Sequence, residues 1–402
     1  MPFRNPPTYL LLFLLTFVFT TVVSAQDAQE PLDQIDYQPQ VLISPLPDVV
    51  NETSGLIFWD GLIWTHNDSG GEAAIYGLNP ESGEIQRNIL IRNTKNKDWE
   101  DITQCDTFIY IGDFGNNSGT RQDLHVLKVA KSAITNSPPD LAVDAEIISF
   151  SYADQQDFSK QTHDHNFDCE AMISYGDSLY LFSKNWADEQ SKLYILPKKP
   201  GTYRLEPRSA FDSHGLITGA GLSASGDELV LIGYQDYVSF MWLFSDFEGS
   251  DFLNGTRLRI DFPELVFVQT EGVCYRNKND VIFSCEKSAE PQQLFGVNTG
   301  ELKATAYSRL GSPVSSEITI SGMPETAGDV LEVDILEVPA AEFTVELRDR
   351  RWALLYESQH KWEQDMRKFR VSLPTADLKP GLYFFRIVSG DQKFIKKIEV
   401  KH

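Results

Sequence analysis

The sequence predicts an all-β fold, a five-bladed β-propeller followed by a small Ig-like β-sandwich. Three observations carry this. Short alternating apolar runs, such as Leu179-Tyr180-Leu181-Phe182, Leu229-Val230-Leu231-Ile232 and Val281-Ile282-Phe283, are broken by Gly, Asn, Asp and Ser, and long amphipathic stretches are scarce. A unit of about 50 residues recurs five times, the spacing of propeller blades with about four strands each. After Gly311-Ser312-Pro313 the repeat stops and a second strand-rich module begins.

The chain has 402 residues and a formal net charge of -23, from 35 Lys+Arg against 58 Asp+Glu. Its length argues for more than one domain. With 42% apolar and 12% aromatic residues it is no disordered chain. The acidity excludes a basic surface for nucleic acid or anionic membrane and permits a hydrated cation as ligand.

Residues 1–25 read as a secretory signal peptide. Arg4 supplies the positive start, residues 9–23 the apolar run, and Val23-Ser24-Ala25 the small residues before cleavage. The run is shorter than the roughly 18–20 apolar residues of a membrane span, and no later run is longer. The expected location is therefore secreted or at the cell surface, with no transmembrane segment after cleavage. Four cysteines, Cys105, Cys169, Cys274 and Cys285, match no zinc spacing. Either they pair, with Cys274 and Cys285 on one hairpin, or they are four buried thiols.

The propeller is expected over residues 38–312. Its inner strands align as Glu52-Thr53-Ser54-Gly55-Leu56, Asp98-Trp99-Glu100-Asp101-Ile102, Asp168-Cys169-Glu170-Ala171-Met172, Thr218-Gly219-Ala220-Gly221-Leu222 and Gln269-Thr270-Glu271-Gly272-Val273. One long step between repeats implies an insertion, placed at residues 151–167. A strand near residues 41–44 is expected to close the ring on the last blade.

Residues two apart on a strand share a face. The alignment therefore yields two polar columns. One holds Ser54, Glu100, Glu170, Ala220 and Glu271. The other holds Glu52, Asp98, Asp168, Thr218 and Gln269. They form two rings roughly 7 Å apart, with six carboxylates between them. Either the acids are a solvated rim, or protons, Lys/Arg partners or a metal neutralise them. Oxygen ligands without His or Cys suit Ca²⁺. The predicted metal ligands are Ser54, Glu100, Glu170 and Glu271, with Glu52, Asp98 and Asp168 as a second ring.

Loops leaving each second strand sit over the same mouth. They supply the catalytic candidates His66, Asp68, Asp113, Lys184 and Lys287. Arg121 is a further cation for an anionic substrate, and His163 and His165 are further proton carriers. No Gly-x-Ser-x-Gly elbow supports a serine triad.

The column Ser54, Glu100, Glu170, Ala220, Glu271, with Asp98-Trp99-Glu100 and Thr270-Glu271-Gly272-Val273, resembles the calcium-activated nucleotidase (apyrase) family. That resemblance covers about 260 residues. It implies a five-bladed propeller with calcium in the central tunnel and a hydrolase of phosphate esters or nucleotides. It departs at Ala220, where a hydroxyl is expected. Calcium-dependent phytase-like and esterase-like propellers are a looser comparison. The alternative is a non-enzymatic propeller that binds a surface ligand or protein partner around a structural metal.

The tail, residues 317–402, reads as a β-sandwich with strands at 330–336, 343–347, 369–373, 382–388 and 394–400. Pro380-Gly381-Leu382-Tyr383-Phe384-Phe385-Arg386-Ile387 and the closing Lys396-Lys397-Ile398 resemble the type A C-terminal sorting domain of the type IX secretion system. This implies the export machinery as a partner and frequent removal of the tail. The usual Pro-Asn-Pro opening is absent, with Met323-Pro324-Glu325 near its place.

Overall fold

The computed structural model describes residues 34–401, apart from 289, 311–318, 322–323, 325, 339, 350–352, 364–365, 367 and 391. The signal peptide, the domain junction at 312–317, and Met323 and Glu325 lie outside the described residues.

Five antiparallel sheets follow one another along the chain. Blade one holds Thr53–Trp59, Leu62–Asn67, Ala74–Leu78 and Ile85–Ile91. Blade two holds Trp99–Gln104, Phe108–Asp113, His125–Ala130 and Glu146–Tyr152. Blade three holds Asp168–Tyr175, Ser178–Lys184, Gln190–Pro197 and Pro207–Asp212, and blade four Leu216–Leu222, Glu228–Gln235, Val238–Ser245 and Thr256–Val266. Blade five takes Thr270–Tyr275, Asp280–Cys285 and Gln293–Asn298. Its outer strand is Gln40–Ile43, from the other end of the propeller sequence, with Val41 opposite Phe295.

The five first strands touch in order, and the fifth returns to the first. That closure makes the sheets a five-bladed propeller. Blades one, two and four each gain a further parallel strand outside the fourth: Asp140–Val143, Gly201–Leu205 and Gln34–Asp36. These added strands cover edges that would otherwise present unpaired backbone.

The core lies between blades. Ile57, Trp64 and Ile75 of blade one pack with Trp99, Ile102 and Ile111 of blade two. Val230, Met241 and Phe262 of blade four pack with Val273, Phe283 and Phe295 of blade five. Each such side chain stabilises the fold by about 1.5–3 kcal/mol on full burial. The same layers settle the cysteines, which are free thiols. Cys274 packs toward blade one and Cys285 toward blade four, on opposite faces of their hairpin.

One expectation is corrected. The extra residues before blade three are not one insertion at 151–167. Ser151 and Tyr152 belong to a strand, and part of the surplus forms the short helix Lys131–Ile134 and the strand Asp140–Val143. A helix, Thr299–Leu310, also follows blade five. It is moored to Glu228, which accepts from Thr299 Oγ1 at 2.8 Å and from Lys303 Nζ.

The tail is a β-sandwich. A three-stranded sheet of Thr319–Ser321, Val330–Glu337 and Phe369–Pro374 faces a five-stranded sheet built on Glu342–Asp349, Gly381–Ser389 and Gln392–Val400. Leu331, Val333 and Leu373 meet Val345, Phe385 and Ile398 between them. The strand Leu354–Lys361 was not anticipated, because it edges the sheet and most of its residues are exposed or half-buried.

Candidate functional site

Every inner strand carries a β-bulge where its polar stretch begins. Trp99 faces Asp113 and Asp101 faces Gly112, so Glu100 is the extra residue. Glu170 is extra between Cys169 and Ala171, and Thr218 between Ile217 and Gly219. Blades one and five each fit one extra residue at Ser54-Gly55 and Glu271-Gly272. A bulge leaves one residue unpaired and re-aims its side chain. The structural column is therefore Ser54, Glu100, Glu170, Thr218 and Glu271.

This corrects blade four. Ile217-Thr218-Gly219 is the match to Thr270-Glu271-Gly272, and Ala220 lies two residues past it. The expected hydroxyl belongs to Thr218, whose Oγ1 donates to the Thr270 carbonyl at 2.6 Å. Ser54 Oγ likewise donates to the Glu100 carbonyl at 2.5 Å. These two hydroxyls stitch neighbouring inner strands together.

The bulge also breaks the rule that residues two apart share a face, so the second ring does not form. Asp168 is fully buried and accepts from the Asn116 N–H at 2.6 Å and from Trp186 Nε1 at 2.8 Å. Asp98 lies beside Glu100, 3.8 Å from Arg121. Glu52 is exposed at the rim.

Over the bulges lies a cavity of about 960 Å³. Glu100, Glu170, Glu271, Asp68 and Glu286 give it an acidic floor, with Trp186, Tyr234, Tyr237 and Phe267 among its walls. One oxygen each of Asp68, Asp98 and Glu100 lie within 4.8 Å of one another. Glu100 Oε1 and Asp68 Oδ1 are buried without a hydrogen-bond partner among the described residues. Gly115 roofs this group, and a Cβ there would stand 1.8 Å from Glu100 Oε1. A side chain at residue 115 would collide with the carboxylates of Glu100 and Asp98.

The electrostatics follow from crowding. Burial, then the carboxylates of Glu170, Asp68 and Asp98, push Glu100 well above its ordinary pKa. Burial and the Glu286 and Asp98 charges lift Asp68 to about 8. Burial and Glu52 lift Glu286 to about 7, and burial outweighs Arg121 to lift Asp98 to about 6. Lys184 is the internal counter-charge. Burial opposes its ammonium, but Glu170 at 2.8 Å and Glu271 hold it charged, raising its pKa well above normal.

The candidates separate accordingly. Asp68 and Lys184 line the cavity. Lys184 is committed to Glu170 rather than open to an anion. Lys287 points away toward Asp48, at 3.6 Å. Asp113 is buried against Arg121 at 2.7 Å, and Arg121 also donates to the Gly115 carbonyl at 2.9 Å. That pair therefore holds the Gly115 loop in place, and Arg121 is not a substrate cation. His66 is fully buried against Trp99, and burial drops its pKa to about 4, so it is a neutral core histidine. His163 lines the cavity and stacks on Trp186 at 4.0 Å, while His165 is buried and accepts from the Phe167 N–H.

One functional residue escaped the sequence reading. Asp101 is fully buried just past the blade-two bulge. It accepts from the N–H groups of Ile102 at 2.8 Å and Met172 at 2.6 Å, and from the backbone of Ala220. It thus ties blades two, three and four across the axis. Below lies a second cavity of about 550 Å³, lined by Leu56, Ile102, Ala220 and Val273. The equivalent residue in blade five is Gly272, where a Cβ would meet the Ser54 carbonyl at 2.0 Å. An aspartate amid small residues gives no periodic signal.

No family model matches the chain, and no curated protein is similar to it. Solved structures similar to it include a chain of a nidogen/laminin complex, 11% identical, covering 63% of this chain and 78% of that one, with a TM-score of 0.36. A GH43_1 enzyme from Xanthomonas citri is 11% identical, covering 65% of this chain and 89% of its own, with a TM-score of 0.37. The fold assignment rests on ring closure, not on these distant likenesses. Among the described residues no helix is long and apolar enough to cross a membrane.

Proposed function

We propose that the protein is a calcium-centred propeller hydrolase acting on phosphate esters or nucleotides at the acidic mouth. The observation that carries this is the trio Asp68, Asp98 and Glu100, in which Asp68 Oδ1 and Glu100 Oε1 are buried without partners among the described residues, the latter beneath Gly115. Carboxylate oxygens without His or Cys suit a hard divalent cation. Thr218 is the hydroxyl-bearing residue at the blade-four bulge, but its Oγ1 is engaged by the Thr270 carbonyl, so the reading rests on the carboxylates alone. Bound there, calcium would orient a phosphate and the attacking water.

The chain's own groups fit that task. Among the described residues lining the cavity, the cations are Lys184 and Lys397, against seven carboxylates. Such a floor disfavours a bare anion, so an anionic substrate would enter paired with a cation. Lys184 neutralises Glu170 and leaves the Asp68 side for the cation. Glu286, with its pKa near 7, gives or takes a proton at neutral pH. Phosphate release from nucleotides and phytate, with and without calcium, tests the reaction. Calcium-dependent release is expected, and its absence leaves the binding propeller with a structural metal as the reading.

In the same reading the chain is exported through the type IX machinery, with residues 1–25 removed and the tail cleaved as well. Intact mass of the extracellular protein checks this: a chain starting near Gln26 is expected, and one retaining Met1 would contradict it.

A further inference from the structure

We propose that, as long as the tail is attached, the C-terminal sandwich is a latch on the mouth, gripping the turns of blades four and five and so setting how far the cavity opens. Its importance for function rests on the reading of the cavity as a binding site, but the latch itself is read from contacts alone.

The grip comes from two adjacent strands of the sandwich. Phe384 and Lys397 are direct register partners on them. Phe384 is fully buried yet stands outside the sandwich's own core cluster. Its ring meets Phe267 edge-on at 5.1 Å and Tyr237 at 6.4 Å. Lys397 lines the cavity and pairs with Asp236. Arg386, held by Glu346 at 3.2 Å, extends to Glu264 of blade four at 3.7 Å.

The gripped turns are conformationally unusual. Asp236 and Tyr237 connect two strands of blade four with φ of 49° and 70°, and Phe267 has φ of 60°. Gln235 pairs with Val238 across them, so this is a two-residue hairpin turn of the kind that favours Asn-Gly. An aromatic residue in the left-handed region is strained, and such strain persists where the surroundings over-determine it. Tyr237 and Phe267 lie 5.1 Å apart, with Phe384 closing the trio. The same Asp236, Tyr237 and Phe267 line the cavity. Releasing Phe384 and Lys397 therefore frees the turns that shape one wall of the mouth.

Hydrogen exchange on the full-length chain tests this. In the double variant Phe384→Ala/Lys397→Glu, segments 235–238 and 266–269 should exchange about tenfold faster or more, as latch release converts them to low-stability loops. Segments 343–347 and 229–232 should stay as protected as in wild type, and Lys397→Arg should keep the turns protected. Unchanged exchange of the turns in the double variant would overturn the latch. So would uniform acceleration of all four segments, which would make the contact part of the global fold. Calcium added to the same samples separates the two claims: no calcium-induced protection in any of them sinks the proposed function and leaves the latch intact.

Discussion

Glu100 and Asp68 each bury an oxygen that has no partner among the described residues, in a group of crowded acids whose protons answer to the solvent pH. Asp68, Glu286 and Asp98 titrate higher folded than unfolded, at about 8, 7 and 6. Their contribution to stability is present at low pH and lost as pH rises through those values. His66 has the opposite sign. Its folded value near 4 lies below its ordinary 6.5, so its contribution is lost as pH falls between them. The two effects separate above about pH 7, where His66 is largely neutral folded or unfolded. Thermal melts in chelator should therefore show stability falling from about pH 7 to 8.5, by about 1–2 kcal/mol from Asp68. Asp68→Asn should flatten that fall, and a wild-type profile that is level or rising would contradict it. At this scale Glu100, Glu170 and Glu271 were legible, since an acid recurred at one place in three repeats. Thr218 was not, because Thr218-Gly219-Ala220-Gly221 aligns in two registers and no side-chain pattern chooses between them.

Bulges decide the inner strands. A sequence read at period two cannot see an inserted residue, so the second ring of Glu52, Asp98 and Asp168 was an artefact of unbroken alternation. Elements with one buried face were legible, while the edge strand Leu354–Lys361 was not, since little of it is buried. The helix Thr299–Leu310 is only weakly patterned, and its mooring through Glu228 is a tertiary contact. Asp101 belongs to this scale, because it joins three inner strands through their backbones. Asp101→Ala would leave those N–H groups buried and unpaired, at about 1–3 kcal/mol each. The expected loss is about 3 kcal/mol or more, read by denaturant unfolding with unchanged m-value. A loss under about 1 kcal/mol would show that the tie is not structural.

For the whole molecule, ring closure gathers side chains far apart in sequence into one mouth. The repeat foretold that gathering, along with the closing strand at Gln40–Ile43 and the sandwich after it. It could not foretell which acids would find partners, because Lys184 pairs across its own hairpin, and Arg121 and Trp186 reach back from the loops that follow a second strand. Nor could it foretell that the sandwich touches the mouth. Isothermal titration of calcium into the full-length protein probes the cation site at Asp68, Asp98 and Glu100. Wild type should bind calcium with release of protons at pH 7, and Glu100→Gln should lose that binding while its metal-free melting point is retained. Wild type that takes up no calcium, or a Glu100→Gln variant that binds it equally well, would contradict the account.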